Sequence, residues 1–366
     1  MKKYNLIQIW DLINYDSDLN VILTKKGRDY IRRKILKRCG LIKNAPKKIN
    51  INYWCLIDNL RGRHSMGFSK LTHLVEKLNL SKNIIQKEIE GLVTRSIKIK
   101  DVHFPIRCDP IFTSLFTNLL GDGGAREGNG SGYFHYGEFE SHQLIQEKIS
   151  HVLGKTSYQK GECLPRVLVF LMMRYFVIKS VATKQSIFPD KILRADRLSR
   201  VASLTAFIND EGTITTSNIP IYSSNYRLLD GVRDLSQSLE YRVSKISRRK
   251  DKEVYLFRIN SVREFYNDYK ELIKRYPETR LISRKERPLR ILDLFSLRPK
   301  RNKNETFDLI IANLKSGEKN IYDLCEATQM TQGGVHRYLK ELVSSDLIRR
   351  RFSNSKTRYI YSLSNK

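Results

Sequence analysis

Two short stretches in the middle of the chain end an apolar run on a carboxylate followed by glycine. One is Leu115-Phe116-Thr117-Asn118-Leu119-Leu120-Gly121-Asp122-Gly123, the other Leu204-Thr205-Ala206-Phe207-Ile208-Asn209-Asp210-Glu211-Gly212. Each predicts an apolar helix with its acid at the very tip, because a glycine there suits a left-handed exit from the helix. Small residues, Thr117 and Gly121 in one helix and Ala206 in the other, would let the two lie closely side by side. Close packing would then bring Asp122 and Glu211 together as a pair of carboxylates.

Other chemistries are poorly served. The glycine-rich run Gly121 to Gly132 follows a predicted helix, has no strand before it and no Gly-Lys-Ser/Thr after it, so it reads as a loop and not as a phosphate cradle. His135, His142 and His151 lack metal-ligand spacing and read as surface or strand residues. Cys39, Cys55, Cys108, Cys163 and Cys325 are scattered, with no Cys-x-x-Cys pair, and read as buried small hydrophobes, with a disulfide or structural zinc as the second choice. No nucleophile elbow and no Ser-His-Asp order is present.

The paired motif resembles the signature of the LAGLIDADG homing endonucleases, in the form that carries two motifs in one chain. The text after the second motif fits that family's half-domain. Thr213–Thr216 and Ile219–Ser223 read as strands, Asn225–Leu239 as a helix, Tyr241–Ile246 with Glu253–Ile259 as a hairpin, and Val262–Ile273 as a closing helix. The first copy is less regular: Tyr133–Glu138 and Ser141–Leu153 fit a strand and a helix, but Pro165–Val181 is a longer helical stretch than the pattern asks for. Pro189–Leu193 leads into the second motif.

The resemblance covers roughly residues 105 to 275 and implies a specific machine. In this family the two acidic tips hold divalent cations, usually Mg²⁺, at the centre of a saddle-shaped sheet lying in the major groove of a long, mostly asymmetric site. Hard oxygen ligands suit Mg²⁺, and metal ions between two carboxylates activate water and stabilise the leaving oxygen. Asp122 and Glu211 match the metal-binding positions. Lys160 and Lys250 lie near where family members bring a basic residue from a strand. Two departures stand out. Thr117 is bulkier than the usual small residue at the helix interface, and Asp210 puts a further carboxylate where the family packs a small side chain. Asp210 either joins the metal shell or pushes the helices apart in a site tuned away from cleavage.

The elements around this core suggest further nucleic-acid modules. From Leu23 to Arg38, Tyr30, Ile31, Ile35 and Leu36 recur at helical spacing among basic residues, a basic amphipathic helix that is otherwise a solvated face. Phe68–Leu78 and a second helix from Ser81, with Ile84, Ile85, Ile89, Leu92 and Val93 facing inward, read as helix-turn-helix-like. Near the end, helices at Thr306–Leu314 and Ile321–Thr328, a third after Met330–Gly334, and strands at Leu347–Arg351 and Arg358–Ser362 make a winged-helix pattern. Its third helix would offer Gln332, His336, Arg337 and Lys340 to a major groove, and its hairpin Arg349, Arg350, Arg351, Lys356 and Arg358 to phosphates.

The expected fold is therefore α+β: a pseudo-two-fold duplicated αββαββα core, flanked by an N-terminal helical, helix-turn-helix-like domain and a C-terminal winged helix. The expected boundaries are 1–100 for the N-terminal domain, 105–200 and 201–280 for the two half-domains, 281–303 for a basic linker able to lie along a phosphate backbone, and 304–366 for the winged helix.

Composition agrees with a DNA partner. Among 366 residues, 67 Lys and Arg against 38 Asp and Glu leave a net charge of +29, an excess that opposes compaction unless a polyanion neutralises it. A membrane is the competing polyanion, but the longest apolar run, Val167–Met173, is cut by Arg174 and is too short to span a bilayer. The start, Met1-Lys2-Lys3-Tyr4, lacks the apolar core of a signal peptide, so a cytoplasmic protein is expected. The expected activity is double-strand DNA cleavage by a monomer with Mg²⁺. The alternative is a regulator on the same fold that binds DNA in sequence-specific fashion without cutting.

Overall fold

A computed structural model describes residues 4–12, 19–94, 97–125, 132–134, 138–156, 163–179, 181, 185–249, 253–294, 301–352 and 359–364. The chain builds two units, one from Met1–Phe207 with Arg275–Thr279, the other from Ile208–Lys274 with Arg280–Lys366. The architecture is α+β, with helices set around small antiparallel sheets.

The first unit opens with strands β1 (Leu6–Ile7) and β2 (Asn20–Leu23), helices α1 (Lys25–Cys39), α2 (Ala45–Ile49) and α3 (Tyr53–Arg61), strand β3 (Met66–Gly67), helices α4 (Phe68–Lys77) and α5 (Lys82–Lys87), and strands β4 (Ile89–Val93), β5 (Lys98–Lys100) and β6 (Ile106–Arg107). Sequence periodicity carries a second helix from Ser81 on to Val93, yet α5 ends at Lys87 and Ile89–Val93 is a strand. Its sheet neighbours are the physical reason: β2 and β5 pair with Ile89–Val93 on either side. They come so close at Gly91 that a Cβ there would stand 3.1 Å from both Ile22 Cδ1 and Ile99 O. Ile84, expected to face inward, is 45% exposed, while Ile85 is fully buried. The N-terminal region is thus a mixed sheet-and-helix structure, with β3, β2, β4 and β5 adjacent in one sheet.

Next come α6 (Pro110–Gly121), β7 (Gly123–Ala125), β8 (Gly132–Phe134), α7 (Phe139–Val152), β9 (Lys155–Thr156), β10 (Cys163–Leu164), α8 (Arg166–Phe176), α9 (Asp190–Leu193) and α10 (Arg197–Glu211). Strands β7, β8 and β10 form one sheet, whereas β9 joins the N-terminal sheet beside β5. The long helix expected over Pro165–Val181 stops at Phe176. Val177 turns left-handed at φ 59°, and Val181 returns to bridge Ala125.

In the second unit Gly212 bridges Ile221 of β11 (Ile219–Ser223), followed by α11 (Tyr226–Ser238), β12 (Ser247–Arg248), β13 (Tyr255–Ile259) and α12 (Val262–Arg275). Thr213–Thr216 makes only the edge of a hairpin, with Thr213 N bonded to Pro220 O at 2.9 Å and Thr215 N to Asn218 O at 3.0 Å. Tyr241–Ile246 contributes a single bridge at Val243, and the ladder with β13 begins only at Ser247. The pairing nevertheless repeats. After each acid-ended helix the first extended segment pairs with the second (β7 with β8, Gly212 with β11), and the second with the strand that leads into α8 or α12 (β8 with β10, β11 with β13).

The expected basic linker over 281–303 is, in its first half, helix α13 (Ser283–Leu294), with Pro288 inside it. Tertiary packing within the second unit overrides the proline. Tyr269 and Tyr266 of α12 donate to Glu286 Oε1 at 2.9 Å and Asp293 Oδ2 at 2.6 Å. Ile291 is fully buried in the C-terminal core.

That core belongs to α14 (Lys303–Lys315), β14 (Lys319–Asn320), α15 (Ile321–Thr328), α16 (Gln332–Ser344), β15 (Ile348–Phe352) and β16 (Tyr359–Leu363), the strands ordered β14, β16, β15. Asn302 with Glu305 and Asn320 with Asp323 form capping boxes on α14 and α15, and Thr331 caps α16. Arg287 of α13 pairs with both Asp323 and Glu326 of α15 at 2.7 Å, which ties α13 to this module.

Candidate functional site

Helix α6 is buried all round from Pro110 to Leu120, its polar residues Thr113, Ser114, Thr117 and Asn118 included. Val201, Ala202, Leu204, Ala206 and Phe207 of α10 are equally buried. Both helices begin on an aspartate. Asp109 Oδ1 accepts from Ile111 N and Phe112 N at 3.0 Å, and Asp196 Oδ1 accepts from Leu198 N at 3.1 Å.

Within the first unit α6 and α10 run in the same direction, joined by two side-chain-to-backbone bonds. Thr113 Oγ1 donates to Ser199 O at 3.2 Å, and Asn118 Nδ2 donates to Ala206 O at 3.4 Å. Asn118 is held in that orientation from behind, since its Oδ1 accepts at 2.7 Å from Lys148 of α7, a fully buried lysine that also donates to Ser114 Oγ at 2.7 Å. Of the expected interface residues, Ala206 is buried and lends its carbonyl. Thr117 is buried but turns its hydroxyl back to Thr113 O at 3.0 Å on its own helix, and Gly121 and Asp210 are half-buried in the last turns. Thr113, Asn118, Ser199 and Lys148 are the residues that sequence reasoning missed. For Thr113 and Ser199 a signal was there: Thr113, Thr117 and Gly121, like Ser199, Ser203 and Ala206, recur one helical turn apart.

Asp122 is the C-cap of α6 and Glu211 the last residue of α10, and both side chains are half-buried. Neither helix has a base in its last turn, so each carboxylate stands at the negative end of a helix dipole. At the end of α6 carboxylate and carbonyl charges add, whereas at the end of α10 the Lys285 ammonium lies on the last carbonyls. Both acids offer hard oxygen donors, which suit a hard divalent cation. Among the described residues no group of three or more His, Cys, Asp and Glu side chains is gathered to hold a metal ion. Lys160 and Lys250 lie outside the described residues.

The glycines after the two acids are needed for a different reason from the one expected. Neither takes a left-handed conformation. A Cβ on Gly123 would lie 2.7 Å from Leu119 O, and one on Gly212 would lie 2.9 Å from Ile208 Cα. In both places the chain folds back onto helix backbone four residues earlier. Gly123→Ala or Gly212→Ala is expected to lower stability by about 2 kcal/mol, read as a shift of the denaturant midpoint without a change of slope.

Asp109 also fastens the base of α6. His151 Nε2 lies 3.2 Å from Asp109 Oδ2, and its Nδ1 lies 3.5 Å from Glu278 Oε1. The bond to Asp109 outweighs partial burial and raises the His151 pKa above its ordinary 6.5. A raised folded-state pKa stabilises below the unfolded value and loses that effect as pH rises through the folded one. Wild type is expected to be more stable than His151→Gln near pH 6, with the gap closing as pH climbs past 6.5. Thermal melts of the two proteins across that range test this. With His151 partly exposed, the gap stays below about 1 kcal/mol.

In the second unit, Lys285 donates to Ile208 O at 2.7 Å and also to Asn209 O, so an ammonium group from α13 satisfies the last carbonyls of α10. In the sequence this lysine falls within the expected linker, where nothing marks it as a cap.

No protein-family model matches the chain, and no curated protein matches it.

The second unit also carries the basic C-terminal face. His336, Arg337 and Lys340 of α16 are exposed, while Gln332 is half-buried and its backbone N–H donates to Thr216 Oγ1 at 3.4 Å. Arg349, Arg350 and Arg351 are exposed on β15. Arg350 lies 4.4 Å from the Tyr359 ring, and Arg351 forms a two-pronged ion pair with Glu318 at 2.6 and 3.1 Å. Burial and the Arg350 charge lower the His336 pKa, which favours a neutral imidazole. Lys356 and Arg358 lie outside the described residues. Among the described residues no helix is long and apolar enough to cross a membrane.

Proposed function

We propose that this protein is a site-specific, Mg²⁺-dependent DNA endonuclease of the LAGLIDADG homing type, acting as a monomer on a long duplex site. The observation that carries the proposal is the pair of buried, acid-capped helices that set off in the same direction, end on Asp122 and Glu211, and are each followed by a glycine pressed against the helix it leaves. The strand pairing repeated after each helix supports a duplicated αββαββα core.

On this reading Asp122 and Glu211 ligate the cations, with Asp210 beside them as a further carboxylate. Mg²⁺, when bound, supplies positive charge that activates water and stabilises the leaving oxygen. Asn118, Lys148 and Lys285 hold the helices that present the acids. The winged-helix module, with Arg337, Lys340, Arg349 and Arg350, extends the footprint along the duplex.

The competing reading is a regulator that binds without cutting, and the three helices and basic hairpin of residues 303–363 favour it. Incubating the protein with Mg²⁺ and a plasmid library of randomised targets separates the two. Linear product enriched in one sequence is expected. Tight, sequence-specific binding that never yields product would establish the regulator instead.

A further inference from the structure

We propose that the outward face of α1, continued by α2, is a second nucleic-acid contact, gripping the phosphate backbone of duplex DNA. The inference rests on the reading that DNA is the partner, and it moves the N-terminal contact from the short α4–α5 pair to a different surface.

Between Lys25 and Lys48 stand eleven Lys and Arg against one acid, Asp29. Folding explains only the inward side of α1, where Gly27, Ile31, Ile35 and Cys39 are buried. Outward, Arg32, Arg33, Lys37 and Arg38 are exposed. Among the described residues no ion pair engages these four. Lys25 and Lys26 occupy the first turn, where no acid is present and the helix dipole is itself positive. Bases there oppose the helix, so they make sense when an external anion faces them. Lys48 Nζ donates to Arg38 O at 3.4 Å, which brings Lys47 and Lys48 of α2 to the C-terminal end of α1.

At 15 residues α1 is roughly 22 Å long. Duplex DNA carries one phosphate charge per about 1.7 Å of axis, so such a row meets several phosphates at once. An anionic membrane is the other extended polyanion. A helix that binds membranes lays a free apolar face into the lipid, whereas the apolar face of α1 is already spent in the protein's own core.

The test uses the full chain, a random-sequence 40-base-pair duplex and fluorescence anisotropy over a range of salt concentrations. For the variant Arg32→Gln, Arg33→Gln, Lys37→Gln, Arg38→Gln, the slope of log affinity against log salt is expected to become shallower by roughly 0.9 for each phosphate no longer neutralised. Affinity near 0.1 M salt is expected to fall about tenfold or more. Replacing the three arginines by lysine instead should preserve the slope. All four side chains are exposed, so the thermal midpoint of the glutamine variant should equal or exceed that of wild type. An unchanged slope in a variant of a wild type that does bind duplex overturns the α1 contact alone. Capture of wild type, but not of the variant, by phosphatidylserine vesicles with the duplex slope unchanged assigns the face to lipid and also overturns it. A wild type that binds no duplex overturns the DNA reading as well.

Discussion

Asp122→Asn and Glu211→Gln are each expected to slow Mg²⁺-dependent cleavage by about 10³-fold or more, the cost of removing one well-placed charge from a transition state that depends on it. Both changes keep the shape of the side chain and remove only its charge, so the fold and the affinity for DNA should stay close to wild type. The double variant decides how the acids work. Groups that act as one unit are strongly non-additive, so the double variant should be about as slow as either single one. Single-turnover rates on supercoiled plasmid give the comparison. Two losses that simply multiply would mean that the acids act independently, and no loss from either would remove both from the chemistry.

The second large effect concerns affinity. Arg337→Ala, Lys340→Ala, Arg349→Ala and Arg350→Ala together are expected to weaken duplex binding by about two orders of magnitude and to flatten the salt dependence by roughly 0.9 for every phosphate left without its cation. Arg351→Ala serves as an internal comparison. Its guanidinium is already committed to Glu318, so its removal should cost less than removal of Arg349 or Arg350. An Arg351 effect equal to the others would show that the Glu318 pair opens when DNA binds. No change in the fourfold variant would take the C-terminal face out of the DNA interface.

Much of this arrangement is legible in the residues, for reasons that can be named. Two apolar runs that each end on acid and glycine, with similar text after them, are what make the ends of α6 and α10 stand out. The three C-terminal helices are legible from apolar residues recurring at helical spacing, while the capping residue Asn302 starts the first at Lys303, earlier than the expected Thr306. Gly123 and Gly212 stand out in the sequence for the wrong property: the spacing suggests backbone freedom, while the structure needs the absence of a side chain.

What stays hidden depends on partners distant in the sequence. Nothing in the sequence marks Lys148 of α7 as buried, and only the fold brings it against Asn118. The segment holding α13 carries clustered charge and Pro288, the marks of a linker, and becomes helical because α12 and α15 supply partners for Glu286, Asp293 and Arg287. Ile89–Val93 is too short to reveal its period, and its sheet neighbours decide it.

The central claim is that Asp122 and Glu211 hold the same cations. Replacing Mg²⁺ with Fe²⁺ in the presence of plasmid DNA, then adding ascorbate and peroxide, cuts the polypeptide backbone beside bound metal. Cuts are expected next to both Asp122 and Glu211 in the same molecule, lost from both places in either single variant. Cuts at one acid that survive substitution of the other, or cuts at neither, would contradict the shared site.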